Sequence, residues 1–172
     1  MKQAGFLAGL GLVSSYLLAL IPMAGWVFAI IGLVLFLVGI YKISEITNEK
    51  RIFQLFLIPV ILGFIATIIT LITMASAIAS IMMRSLAGLS ASMIVLIVAA
   101  VIILIVSLVS YVKAYRLLAE VTKMNIFNTV AKLYKWGAIL LIVFGVGAIL
   151  MLVGVIVATV GFFSMEQKQP VQ

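Results

Sequence analysis

The 172-residue chain contains no cysteine, no histidine and no aspartate, and its only carboxylate side chains are four glutamates. Without cysteine no disulfide can form. The usual ligands of zinc, haem and iron–sulfur clusters are missing as well, and so is the base of a histidine-dependent nucleophilic triad. We therefore expect no metal, no cofactor and no enzymatic activity.

Charge is scarce throughout the chain: 9% of residues are charged and 67% are hydrophobic. A soluble domain needs roughly 25% charged residues to cover its surface, so this chain lacks the material for a water-facing shell. Residues 93–106 are apolar at every position, whereas a transmembrane β-strand alternates apolar and polar residues. The sequence predicts an all-α, polytopic transmembrane helix bundle.

Charged residues and one turn signal divide this single membrane domain into spans. The charge-free stretch 3–41 would be roughly 58 Å long as one helix, nearly twice the hydrocarbon thickness. Pro22 and Gly25 supply a break near its middle. The predicted spans are about 5–21, 25–42, 53–77, 88–112 and 137–163, followed by a tail at 164–172. Four spans are the alternative, with 5–42 forming one bent helix or a re-entrant hairpin.

Basic residues are distributed unevenly between the predicted loops. With the N-terminus inside, nine Lys and Arg residues lie on the inner side and only Arg84 and Lys168 on the outer side. This bias follows the positive-inside rule. It predicts a multi-pass protein of the cytoplasmic membrane with a cytoplasmic N-terminus and an external C-terminus.

The second inner connection, about 113–136, alternates basic and apolar residues. Lys123, Lys132 and Lys135 are interspersed with apolar side chains such as Phe127 and Val130. This pattern suits a short amphipathic helix on the inner leaflet, in contact with anionic lipid heads. Docking of a soluble partner is the alternative. Nucleic acid is not an expected partner, because the chain has no soluble basic element.

The chain also matches itself at an offset of 74 residues. Tyr41-Lys42-Ile43 aligns with Tyr115-Arg116-Leu117, and Ile52-Phe53-Gln54 aligns with Ile126-Phe127-Asn128. The match predicts a parallel repeat of a helical hairpin around two equivalent inner loops. Convergence is the alternative, because interfacial aromatic and basic residues suit any inner loop.

Two glycine stripes have a spacing of seven residues, or about two helical turns. They consist of Gly25, Gly32 and Gly39 and of Gly147, Gly154 and Gly161. Small residues let transmembrane helices approach closely. The stripes therefore predict helix packing, either between copies of the chain or within one bundle.

A third polar pattern lies in the third predicted span. Thr67, Thr70 and Thr73 share one helix face. Such a face either lines a polar path or hides its hydroxyls by bonding them to carbonyls of the same helix.

Several short motifs resemble a known family. Leu20-Ile21-Pro22 followed by Gly25, then Ile31-Gly32, Ile43-Ser44-Glu45 and Ile52-Phe53 are similar to the uncharacterised membrane family known as domain of unknown function 996. The resemblance implies an archaeal or bacterial multi-span protein without known activity. It transfers no catalytic or binding residue.

The function expected from these patterns is non-enzymatic. We expect a scaffold or accessory subunit of a membrane assembly that acts through helix packing, as a homo-oligomer or within a larger complex. The alternative is a passive channel or transporter for a small or apolar solute, with the threonine face as its path.

Overall fold

The computed structural model describes residues 1–16, 25–83, 86–144 and 147–165. These residues form six helices and no strand, so the predicted helix bundle is confirmed. The helices are α1 (Lys2–Tyr16), α2 (Gly25–Ile46), α3 (Lys50–Met82), α4 (Leu86–Thr122), α5 (Asn125–Phe144) and α6 (Gly147–Ser164). The predicted break at Pro22 and most of the predicted tail lie outside the described residues.

The apolar character of these helices is that of an integral membrane protein. Four segments are long and apolar enough to cross a membrane, namely Val27–Ile46, Lys50–Met82, Ala91–Thr122 and Gly147–Ser164. The described part of α1 is shorter, and α5 carries lysines in its N-terminal half.

The six helices pack in a closed ring. Each helix contacts the next one along the chain, and α6 contacts α1. The most extensive contacts lie within three antiparallel hairpins, α1–α2, α3–α4 and α5–α6. In the first hairpin, Gly39 faces Ala8 while Gly32 faces Gly11 and Ser15. The residue numbers thus run in opposite directions on the two helices.

The region 137–163 differs from the single span that hydropathy predicts. It is divided between α5 and α6, which pack side by side: Gly137 faces Gly147, and Gly161 faces Phe127. The apolar run is continuous in sequence, so no charge marks the place where α5 ends.

With six helices, the two described ends of the chain lie on the same side of the bundle. Gly5 packs against the Phe162 carbonyl and the Met165 side chain. Both described ends therefore lie at the same end of the ring, where five spans would place them on opposite sides.

The turns α2–α3 and α4–α5 have the same construction. Asn48 and Lys123 each adopt a φ of 53°, a left-handed conformation that ends the preceding helix. One residue before each, the Thr47 and Thr122 hydroxyls donate to carbonyls four residues back, at 2.8 and 2.6 Å. Equivalent atoms in the two turns are 75 residues apart, which supports a structural repeat.

An offset of 75 also corrects the register of the repeat. The sequence match pairs Tyr41, which is 53% exposed, with Tyr115, which is 1% exposed. Moving the register by one residue pairs Tyr115 with Ile40, which is fully buried. It likewise pairs Ile52 with Phe127, both fully buried. Side-chain burial thus determines a register that residue identity alone misses by one position.

The α3–α4 hairpin is much longer than the rest of the ring. Helices α3 and α4 have 33 and 37 residues, or about 50 and 55 Å, while α2, with 22 residues, spans about 33 Å. The 75-residue register pairs α2 with α4 and α3 with α5. Gly25, the first residue of α2, then corresponds to Ala100 of α4, and Phe144, the last residue of α5, corresponds to Ile69 of α3. Residues 70–82 and 86–99 therefore extend about 20 Å past the described ends of α2 and α5. We call this projection the distal hairpin.

Candidate functional site

Five aromatic rings from five successive helices fill the centre of the ring near its basic end. They belong to Phe36, Phe56, Tyr115, Phe127 and Phe162, on α2 to α6 in order. None is more than 5% exposed. We call this cluster the aromatic plug.

The plug is a closed cycle of ring contacts. Phe36 meets Phe56 at a centroid distance of 5.4 Å, and Phe56 meets Tyr115 at 5.1 Å, both edge to face. Tyr115 stacks with Phe127 at 6.4 Å, Phe127 contacts Phe162 at 5.2 Å, and Phe162 returns to Phe36 at 6.1 Å. Edge-to-face and offset arrangements of this kind are the favourable geometries of aromatic pairs. The cycle closes the axis of the ring on its basic side.

Two adjoining cavities, both partly open to the surface, lie between the helices on the side of the plug away from the basic turns. The larger has a volume of about 640 Å³ and is bounded mainly by α1, α4 and α6. The smaller, of about 240 Å³, touches Phe36 and Tyr115 of the plug. Both are lined by Leu12, Tyr16, Tyr111 and Tyr134. We refer to the two together as the chamber.

The walls of the larger cavity are apolar and elongated. One face of α6 lines it, with a residue at every third or fourth position from Ala148 to Val160. That stretch is about 18 Å long. Helices α4 and α6 do not contact each other in the described chain, so the cavity occupies the space between them.

Hydroxyl groups supply the polarity of the chamber. Tyr16, Tyr111 and Tyr134 lie at the boundary of the two cavities. Ser107 lines the larger cavity. Ser15 lines the smaller one, and its buried Oγ has no hydrogen-bond partner.

No charged side chain lines the chamber among the described residues. An ion placed there would lose its hydration without gaining a counter-charge, which is strongly unfavourable. Hydroxyl groups instead offer neutral hydrogen bonds at the boundary of an otherwise apolar space. The arrangement suits a neutral, mostly apolar molecule.

The threonine face of α3 does not line the chamber. The hydroxyls of Thr67, Thr70 and Thr73 donate to carbonyls four residues back in the same helix, at 3.0, 2.8 and 2.7 Å. Thr67 is exposed and Thr73 is buried. The three hydroxyls are thus bonded within their own helix, as hydroxyls facing an apolar medium commonly are.

The glycine stripes lie in the seams of the first and third hairpins. Gly32 and Gly39 contact α1, while Gly147, Gly154 and Gly161 contact α5. Gly25, at the start of α2, is also buried. A Cβ on Gly147 would collide with the Gly137 carbonyl and with Leu141. These faces are occupied by contacts inside one chain.

The basic segment 123–135 consists of the turn before α5 and the N-terminal half of that helix. Lys132 and Lys135 are exposed on α5, and Lys123 is exposed in the preceding turn. On the opposite face of α5, Phe127 and Val130 are fully buried. The apolar side of this helix therefore packs into the bundle, because aromatic partners from α4 and α6 cover it.

Sequence reasoning missed the plug and the chamber. An aromatic residue in an apolar span has the same hydropathy whether it faces lipid or a neighbouring helix, so composition does not distinguish them. The available signal was spacing: Tyr111 and Tyr115, like Phe127 and Tyr134, recur at helical intervals on one face.

Comparison with known proteins identifies a family. No curated protein and no solved structure matches the chain. A family model described as a protein of unknown function (DUF996) matches residues 28–156. The match covers α3, α4 and α5 completely and begins after Leu20-Ile21-Pro22, one of the motifs that carried the resemblance. The chain therefore belongs to the DUF996 family.

Proposed function

We propose that this protein is a non-enzymatic membrane scaffold, or accessory subunit, that holds partner helices along the distal hairpin. The observation that carries the proposal is the length of α3. Between Arg51 and Arg84 the chain has no charge, and a helix over these 32 residues is about 48 Å long, against a hydrocarbon thickness of about 30 Å.

Tilting does not remove this mismatch. To fit 48 Å into 30 Å a helix must tilt by about 50°, whereas transmembrane helices tilt by about 0–40°. None of the four shorter helices needs more than slight tilt to fit the hydrocarbon, because the longest of them, α2, spans about 33 Å. A membrane positioned around the ring therefore leaves much of the distal hairpin outside the hydrocarbon.

The described surface of the distal hairpin is mostly apolar and is uncovered in the single chain. Ile72, Ile78 and Ile81 are 65%, 57% and 64% exposed, and Met82 is 81% exposed. Outside the hydrocarbon each such side chain gains about 1.5–3 kcal/mol when a partner covers it. Partner helices, from a second copy or from another protein, would supply this cover.

The alternative of a passive channel has less support. The aromatic plug closes the axis of the ring, and the three threonines of the predicted path bond to their own helix. Neither feature offers a solute a continuous polar route.

For the orientation, we propose that the basic end of the ring faces the cytoplasm. Lys2, Lys50 and Arg51 lie at this end, together with the turn at Lys123. In the six-helix arrangement both described ends of the chain also lie on this side. The lysines of α5 are positioned to contact anionic headgroups of the inner leaflet.

Site-specific photo-cross-linking tests the scaffold proposal. A benzophenone amino acid replaces Ile78 in the distal hairpin, and in the matched control it replaces Ile149 of α6. Both isoleucines are exposed, at 57% and 69%. After irradiation in native membranes, adducts are separated by size and identified by mass spectrometry.

We expect a reproducible protein adduct from position 78, either with a second copy or with one partner, and only lipid adducts from position 149. Absence of a protein adduct at positions 72, 78 and 81, together with a monomer in blue-native electrophoresis, would refute the scaffold proposal.

A further inference from the structure

The chamber has the features of a binding site rather than of a packing defect. Its larger cavity, at about 640 Å³, falls within the roughly 300–1,000 Å³ typical of small-molecule pockets. Packing voids in protein interiors are seldom larger than a water molecule. A partly open space of this size between apolar helices is too large to be a packing defect and suits a bound apolar molecule.

We propose that the chamber binds a neutral, single-chain lipid-like molecule: an elongated hydrocarbon that ends in a hydroxyl or carbonyl group. The shape of the cavity supports the hydrocarbon. The α6 wall extends about 18 Å from Ala148 to Val160, and the facing residues of α4 include Leu104 and Leu108. Such walls favour an extended apolar chain that lies parallel to α6.

The polar end of the ligand is assigned by the hydroxyl groups. Tyr16, Tyr111 and Tyr134 gather where the two cavities meet. The Ser15 Oγ lines the smaller cavity and is buried without a partner. A buried hydroxyl that lacks a partner is destabilising, and a ligand hydroxyl or carbonyl beside it would satisfy it.

The residues that line the chamber indicate that the ligand is uncharged. The described lining residues include no lysine, arginine or glutamate. A phosphate or carboxylate would therefore be buried without a cation, so phospholipids and ionised fatty acids are disfavoured. A long-chain alcohol satisfies both the apolar walls and the hydroxyl cluster.

The test uses the purified full-length protein in detergent and a photoreactive diazirine analogue of hexadecanol. Unlabelled hexadecanol, hexadecane and hexadecanoate at pH 9 compete for the site. Labelled peptides are mapped by mass spectrometry. We expect labelling on α4 and α6 within the chamber, and competition by hexadecanol about fivefold stronger than by hexadecane, which corresponds to one hydrogen bond. Hexadecanoate should compete least.

Two substitutions that fill the chamber strengthen the test. Ser107→Phe narrows it from α4, and Ala148→Phe narrows it from α6. The matched control is Val106→Phe, because Val106 is 43% exposed and lines neither cavity. We expect each filling variant to reduce labelling at least tenfold, while the control labels as the unmodified protein does.

The hydroxyl contribution is tested separately by Ser15→Ala, which removes the buried hydroxyl that lacks a partner. It should remove the preference for alcohol over alkane and leave alkane binding unchanged. Thermal unfolding of each variant verifies that it is folded. Labelling that maps outside the chamber, or that persists in both folded filling variants, would overturn the proposal without affecting the scaffold function.

Discussion

Helix contact at Gly39 provides the most direct test of the ring architecture. A Cβ added at Gly39 would lie 2.7 Å from the Ala8 Cα and 2.8 Å from its Cβ, in the seam between α1 and α2. These are atoms of a neighbouring helix, so relief requires the two helices to move apart. Gly63, in α3, is the matched control, because an added Cβ there has nothing within 4 Å.

The expected magnitudes follow from two opposing effects. Overpacking at Gly39→Ala costs about 1–3 kcal/mol, and replacing a helical glycine with alanine returns up to about 1 kcal/mol. We expect Gly39→Ala to lower the free energy of unfolding by up to about 2 kcal/mol. Gly63→Ala keeps only the favourable effect, so it should raise the free energy of unfolding by up to about 1 kcal/mol.

Unfolding by SDS in mixed micelles, followed by far-ultraviolet circular dichroism, measures the difference. The midpoint should move to lower SDS for Gly39→Ala and should remain equal or rise for Gly63→Ala. If the two variants unfold at the same midpoint, the close approach of α1 and α2 is not part of the folded protein.

Three further outcomes are expected. Phe127→Ala removes a fully buried ring of the plug and should lower the free energy of unfolding by about 3–5 kcal/mol in the same assay. Its control, Trp136→Ala, changes a 58% exposed position and should alter the free energy of unfolding by less than about 0.5 kcal/mol. Equal losses in the two variants would contradict the packing described. Thr70→Val removes a hydroxyl that is hydrogen-bonded to its own helix at 2.8 Å. It should change neither the stability of the protein nor the solute permeability of proteoliposomes. A drop in permeability would support the channel alternative. The chain has no native cysteine, so single cysteines can be introduced at Gln3 and at Ser164. Both should react with an impermeant maleimide from the same side of the membrane. Labelling from opposite sides would favour five spans.

The helical class and the main helix positions follow from the sequence because they depend on hydropathy and charge alone. Predicted spans 53–77 and 88–112 lie within α3 and α4, but both helices extend further. At the basic end α4 continues to Thr122, past Lys113 and Arg116. A charged residue ends the apolar run without ending the helix, so hydropathy marks a span and not the helix limits.

Hydropathy also fails to predict that residues 137–163 are divided between α5 and α6, and the reason is different. A helix over that range would be about 40 Å long, which fits the hydrocarbon at a tilt of about 40°, the upper end of the usual range, so length alone does not require a break there. Lys132 and Lys135 make the preceding segment resemble a loop. Its helix forms because Phe127 and Tyr134 are buried by aromatic residues of α4 and α6. Those contacts are distant in sequence and cannot be read from local pattern.

The chamber shows the same limit. Its lining residues come from all six helices, and each helix contributes side chains that look like ordinary membrane residues. Only the ring arrangement brings the tyrosines of α1, α4 and α5 together. The family resemblance could not supply this information, because the family is one of unknown function.

The closed ring has a consequence for the order of assembly. Five of its six helix contacts join neighbours along the chain, while the contact of α1 with α6 joins the two ends of the described sequence. Neighbouring hairpins can form as they enter the bilayer, but the α1–α6 seam must wait for the last helix, because long-range contacts close late. Until then the interior is open along one side to surrounding lipid. A hydrophobic guest could enter laterally during biogenesis and become enclosed when the seam forms.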